Sequence, residues 1–414
     1  MFFIYRILIN LVILFSPLII LIRLIKKKED KNRFKEKFCF FTKKRNKGKL
    51  IWFHGSSVGE IQSIIPLIEK LEKKKSINQI LVTSSTLSSS KVLSQFRLKK
   101  TIHQFFPIDS NSMTKKFLKY WSPSAAIFIE SEIWPNMIVN IKKKSIPLVL
   151  LNARITEKSY NRWRYINNTA KILFGSFTIC FSQDMKSKKH LKHLGAKKIR
   201  FIGNLKFAEN KSHKKNYIDN DLKKIFRSKK IWCAASTHHT EERLSALVHK
   251  KLKNKYKNLL TIIIPRHIQR TNDIIDEIQN LDLKIQTRSN SNKIKKNVDI
   301  YLVDTYGESE SFYKVCKTVF LGGSLINHGG QNPLEPARLG CKVFHGPHVH
   351  NFDEVYELLK KNNLSSKFKN VGQLVYLINQ SFIKRTNFSN KVVKLKKIGS
   401  SILDKTVAEI NLYL

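Results

Sequence analysis

The feature that most constrains this chain is a rhythm: short apolar runs recur along it, and longer amphipathic stretches fill the gaps. Lys49 to Phe53 reads as a strand, Glu60 to about Lys74 as a helix with Ile61, Ile64, Ile65, Ile68 and Leu71 on one face, and Gln79 to Thr83 as the next strand. The runs HQFFPID, AAIFIE, PLVLL and TICFS continue the series to about residue 182. Apolar runs without polar alternation suit strands buried on both faces, and helices between them predict a parallel, doubly wound sheet. After IRFIGNL (Ile199 to Leu205), a Lys- and Asn-rich segment from about Asn210 to Asp221 reads as a linker. The rhythm then restarts with KIWCAAS, LLTIIIPRH, LKIQT, DIYLVDT, TVFLGGS and CKVFHGP. The expected α/β fold is two Rossmann-like domains in tandem, with no solenoid repeat.

A different signal stands at the N-terminus. Ile7 to Ile22 is apolar apart from Asn10 and Ser16, with Arg6 before it and Arg23, Lys26, Lys27 and Lys28 after it. With Phe2 to Tyr5 it reaches the roughly 20 residues that a bilayer requires, and no small-residue cleavage site follows. An uncleaved anchor is expected, and the dense positive flank places the body of the protein in the cytoplasm. A helix lying in the interface is the alternative, because Pro17 falls in mid-run. The expected domains are therefore 1–28 (anchor and basic flank), 29–209, 222–398 and a C-terminal helix at 399–414.

The formal net charge of +47 fits nucleic acid, anionic lipid or phosphorylated substrates as partners. It equally fits compositional drift, since Lys and Asn are used heavily throughout. Five cysteines without C-x-x-C spacing indicate neither a disulfide framework nor a zinc site.

Ligands of doubly wound sheets sit beyond the carboxyl ends of the strands, so the residues after each apolar run are the ones to read. In WFHGSSVGE, Ser and Gly suit a helix start and Glu60 the first helical turn, a place that tends to lower a carboxyl pKa; for Glu60 to act as a base, burial must offset that tendency. Glu130 and Glu132 of ESEIWPN share a face if the strand persists and diverge if it breaks; an acid and base pair is one reading, a loop anchor the other. Arg266 and His267 emerge where a phosphate would lie. Lys206 falls at the junction of the halves, although a lone Lys in so basic a chain is usually surface. GGSLINHGGQNPLEPA offers glycines for close approach, a helix N-terminus for a phosphate, and Glu335 for ribose hydroxyls; it is neither a Walker loop nor a G-x-G-x-x-G fingerprint. The scattered histidines lack zinc-protease spacing, and there is no G-x-S-x-G elbow.

The motifs HGSSVGE, ESEIWPN, NARITEKS, GNLKF, ASTHHTEE, PRH and GGSLINHGGQNPLEPA, in this order, closely resemble the 3-deoxy-D-manno-octulosonic acid (Kdo) transferases of lipid A biosynthesis, glycosyltransferase family 30. The resemblance implies a GT-B fold, two Rossmann-like domains facing a central cleft. It implies an inverting enzyme that moves Kdo from CMP-Kdo to a lipid A precursor, lipid IVA, in lipopolysaccharide core biosynthesis. It makes Glu60 the proton acceptor and gives Glu130 and Lys206 a part in stabilising the transition state. CMP contacts map to Arg266 and His267, to Gly307, Glu308 and Ser309, and to Asn332, Pro333, Leu334 and Glu335. Departures are Gly55 and Ser56, where an Ala pair is common, and Gln331, where His is common.

No cofactor or metal is expected, because a donor with a single phosphate as leaving group needs no cation to bridge a diphosphate. Expected partners are CMP-Kdo, the lipid acceptor and the anionic lipids of the inner membrane, with no nucleic acid. Two rival classes stand beside this reading. A sugar-nucleotide epimerase would share the two domains but has no need of an anchor. A tethered nucleic-acid-binding protein would explain the charge but lacks an aromatic-basic module.

Overall fold

The computed structural model describes residues 2–208, 218–290, 294–384 and 388–414. Two compact units make up the chain: Met1–Ser212 with Lys397–Leu414, and His213–Lys396. Residues 210–217 of the expected linker lie outside the described residues, and Asp219 already caps a helix.

The first unit begins with α1 (Phe2–Ile25) and continues through β1 (Leu50–His54), α2 (Val58–Glu72), β2 (Gln79–Ser84), α3 (Leu87–Leu93) and β3 (Thr101–Phe105). Next come α4 (Asn111–Trp121), β4 (Ala125–Ile129), α5 (Pro135–Lys143), β5 (Leu148–Ala153), α6 (Glu157–Tyr165) and α7 (Asn167–Phe174). β6 (Ile179–Ser182), α8 (Met185–His193) and β7 (Ile199–Phe201) complete this part. The seven strands are parallel in the order β3-β2-β1-β4-β5-β6-β7. Alternate residues face opposite sides of the sheet. Trp52, Phe128 and Leu150 join one apolar cluster, while Ile51, Phe53, Ile127 and Leu151 join the other. All five apolar residues expected on one face of α2 are buried in the second cluster. Strand order reverses between β1 and β4, which makes their carboxyl ends the crevice of this sheet.

The second unit runs α9 (Asn220–Ser228), β8 (Lys230–Thr237), α10 (Glu241–Lys253), β9 (Leu259–Pro265), α11 (Thr271–Gln279), β10 (Ile285–Thr287) and β11 (Ile300–Leu302). It continues through α12 (Ser309–Val315), β12 (Thr318–Leu321), α13 (Leu334–Arg338), β13 (Lys342–His345), α14 (Asp353–Lys361), β14 (Ser365–Lys367) and α15 (Val371–Ile383). Its seven strands are also parallel, in the order β10-β11-β9-β8-β12-β13-β14, with the reversal between β8 and β12.

The last helix, α16 (Ser389–Asn411), carries the chain back into the first unit. There Leu403 and Ile410 join the cluster beneath α2, and Lys70 pairs with Asp404 and Arg200 with Glu409.

Candidate active site

In the first unit the reversal point gathers three carboxylates and a lysine. β1 ends at His54, and Ser57 caps α2: its Oγ accepts the Glu60 N–H at 3.2 Å. The Glu60 carboxylate reaches back, with Oε2 accepting the Ser56 N–H at 2.7 Å and Oε1 the Ser57 hydroxyl at 2.8 Å. This reciprocal capping box fixes the carboxylate at the crevice. Gly55 eases the close approach, since a Cβ there would come within 3.1 Å of the Glu60 Cβ and ask for a shift of a few tenths of an ångström. Around Gly59 the space is open.

The helix N-terminus does not lower the Glu60 pKa as its position in the first turn predicts. Burial pushes it up to about 7, the charges of Glu132 and Glu130 add to that, and the hydrogen bonds from Ser57 and Ser56 only partly offset them. A capping contact is worth less here than the loss of water around a half-buried carboxylate beside two like charges.

ESEIWPN breaks out of the strand. Glu130 adopts φ +55°, so the two glutamates diverge. Glu130 Oε1 lies 2.5 Å from Lys206 Nζ. Glu132 Oε2 instead meets His54 Nε2 at 3.0 Å and accepts from the Ser56 hydroxyl at 2.6 Å and the Trp134 indole at 2.7 Å. Burial alone would raise the Glu132 pKa, but these partners outweigh it and hold the group below its ordinary value. Ser56 therefore donates its N–H to Glu60 and its hydroxyl to Glu132, linking the two carboxylates.

Lys206 sits on the short turn Leu205–Phe207. Asn152, also left-handed at φ +54°, accepts the Leu205 N–H at 2.9 Å, and Asn204 accepts that of Lys206 at 3.0 Å. Behind the turn lies Gly399 of α16, where any Cβ would overlap the Phe207 carbonyl oxygen. Left-handed non-glycine residues at two adjacent strand ends are the kind of local strain that functional sites hold.

In the second unit the polar residues again line the carboxyl edge. Arg266 and His267 stand exposed after β9, and His238 packs its ring against His267 and His328, centroids 5.6 and 4.6 Å away. Gln269 reaches Tyr306, joining the PRH stretch to the YGE stretch. Gly307 has φ +85° and open space around it. Glu308, however, is committed to the fold: Arg288 lies 3.1 Å from it and the Thr305 hydroxyl donates at 2.8 Å. Beside it Gly307 is exposed and Ser309, half-buried, opens α12. Asn332 accepts the Leu334 N–H at 3.1 Å, and the helix that follows is only five residues long, a much weaker phosphate site than a full helix would make. Glu335 lies near Tyr313, whose pKa burial and this carboxylate together raise.

Glu60, Glu130 and Lys206 thus come together within the first unit, and the residues from Arg266 to Glu335 share one edge of the second. Sequence reading passed over Glu241. This wholly buried carboxylate accepts N–H groups from His238, Gly323, Ser324 and Leu325 at 2.7 to 3.1 Å, pinning the glycine loop to β8. A Cβ on Gly322 would come within 2.6 Å of it. The only signal was its place in STHHTEE, just past a strand end. Among the described residues no group of three or more His, Cys, Asp or Glu could hold a metal ion, and all five cysteines are buried and free.

Two doubly wound units of this kind define the GT-B class. The fold matches UDP-GlcNAc 2-epimerase from Neisseria meningitidis with a TM-score of 0.56 over 88% of this chain and 100% of that one, at 14% identity, a likeness of fold alone. Residues 32–209 match the family model of 3-deoxy-D-manno-octulosonic-acid transferase. The 3-deoxy-D-manno-octulosonic acid transferase of Rickettsia bellii is 31% identical over 392 residues, 94% of this chain and 93% of its own length. That of Haemophilus influenzae is 30% identical over 312 residues, 75% and 73% of the two chains. The chain belongs to the 3-deoxy-D-manno-octulosonic acid transferase family, and is a glycosyltransferase.

Proposed function

We propose that this glycosyltransferase moves Kdo from CMP-Kdo to a sugar hydroxyl of a lipid A precursor, lipid IVA, with inversion, in lipopolysaccharide core biosynthesis. The observation that carries the reading is Glu60, placed at the reversal point of the first sheet with its carboxyl held near pH 7. A base must be ionised at working pH yet still hold a proton well, and that value satisfies both needs. Glu60 takes the acceptor hydroxyl proton as the oxygen attacks the anomeric carbon in line. The new C–O bond forms as the bond to phosphate breaks, and CMP leaves with the electron pair. The departing charge and the oxocarbenium-like sugar call for fixed charges of both signs, the roles of Lys206 and Glu130. Arg266, His267, the Gly307–Ser309 backbone and the stretch Asn332, Pro333, Leu334 and Glu335 hold the nucleotide. The enzyme works on the cytoplasmic side of the inner membrane, where its basic surface meets anionic lipid.

The test is mass spectrometry of the product from CMP-Kdo and tetra-acylated precursor, with Glu60→Gln as the control. Loss of transfer with CMP binding retained supports the reading; retained turnover overturns it. Epimerisation of a free sugar nucleotide without transfer would favour the rival.

A further inference from the structure

Helix α1 is long and apolar enough to cross a membrane: 24 residues, about 36 Å against a hydrocarbon core of about 30 Å. Its contacts argue for a different placement. At its N-terminal end the Tyr5 hydroxyl donates to Asp109 at 2.7 Å, Arg6 donates to Asn136 at 3.1 Å, and Phe2 packs against the core cluster behind β1 and β4. At its other end Arg23 pairs with Glu29, which Lys37 also grips, each at 2.6 Å. Between these tethers one stripe is covered along the whole length: Tyr5, Ile9 and Ile13 are half-buried, and Ser16 and Ile20 are buried. That spacing of three and four residues is one face of a helix. The remaining faces are bare and apolar, with Phe3 74% and Leu14 70% exposed.

A helix that spans a bilayer carries its far end some 30 Å from the domain on the near side. Here the far end is docked on that domain, at residues following β3 and opening α5, beside the ESEIWPN loop. We propose that α1 lies in the plane of the membrane, its covered stripe on the first unit and its bare faces in the acyl boundary of one leaflet. Lys26, Lys27 and Lys28 at its end suit anionic headgroups, and the rest of the strongly basic chain adds to that attraction. The docking at Asp109 and Asn136 then sets the crevice carrying Glu60 and Glu130 at the lipid surface, where a lipid-borne hydroxyl is found.

The test uses the full chain in vesicles of phosphatidylethanolamine and phosphatidylglycerol. A cysteine-bearing tag fused ahead of Phe2 is compared with Ser94→Cys, an exposed site on the first unit, under a membrane-impermeant maleimide. The native cysteines are all buried and give little background. Labelling of both sites from the same face of the vesicle supports an in-plane helix; labelling from opposite faces overturns it. A second measurement places a fluorophore on Leu14→Cys. Strong quenching by shallow lipid quenchers and weak quenching by deep ones is expected. Quenching strongest at the bilayer centre, or a disulfide dimer through Leu14→Cys without vesicle binding, overturns the proposal. None of these readouts depends on catalysis, so they stand or fall apart from the transferase reading.

Discussion

At the scale of a residue, Glu60 shows how a local rule is overruled by surroundings. Its place in a capping box argues for a low pKa, yet burial and two neighbouring carboxylates carry it to about 7. A carboxyl whose folded value exceeds its ordinary value of 4.5 contributes stability that is fully present below pH 4.5 and lost as pH rises through 7. Glu60→Gln is therefore expected to stabilise the fold by about 1–3 kcal/mol at pH 8 and by almost nothing at pH 4, read by denaturant melts at the two pH values. Transfer by the parent enzyme should fall away below about pH 7, as Glu60 takes up its proton. Glu132→Gln removes one of the like charges and should move that acid limb down by about one pH unit while CMP binding is kept. An unmoved limb would mean that Glu132 only braces the loop. That a base at Glu60 needs burial to offset the helix terminus was legible in the sequence, but not the burial itself or the two like charges 70 or more positions away; nor were the left-handed turns at Glu130 and Asn152, which no glycine announces.

Elements were easier to read, for a physical reason. Strands such as β1, β4 and β9 are buried at every position and apolar at nearly all of them, because both faces of the sheet are covered, and that leaves a plain mark in the sequence. β14 left none: it is three residues at the sheet edge, two of them serine. β7 ends at Phe201, short of the apolar run that announces it, because Gly203 turns the chain at φ +105°. The order of strands, and with it the pairing of Glu130 with Lys206, follows from three-dimensional packing that periodicity does not encode. One prediction belongs here. Gly399→Ala puts a methyl group into the Phe207 carbonyl, so the turn carrying Lys206 must shift. The variant should lose about 1–3 kcal/mol of stability and most of its kcat, with CMP affinity close to the parent's, as calorimetry and steady-state kinetics would show. Unchanged kcat would dissociate α16 from the site.

At the scale of the whole molecule, the proposed placement gives the charge of +47 and the apolar α1 one partner, an anionic membrane: the lysines meet its headgroups and α1 its acyl boundary. Raising salt should weaken vesicle binding without abolishing it, since salt screens the lysines and leaves the apolar contact intact; complete release at high salt in a sedimentation assay would show that α1 contributes nothing. The return of α16 to the first unit has a different kind of consequence. Leu403 and Ile410 complete the wall over α2, yet along the sequence the entire second unit is inserted between them and the strands of that sheet. A ribosome that has finished β7 has thus made a sheet with one side still open. The first unit waits, half-clad and next to the apolar α1, until the second has been synthesised. In this chain the domain that emerges first is the one that closes last.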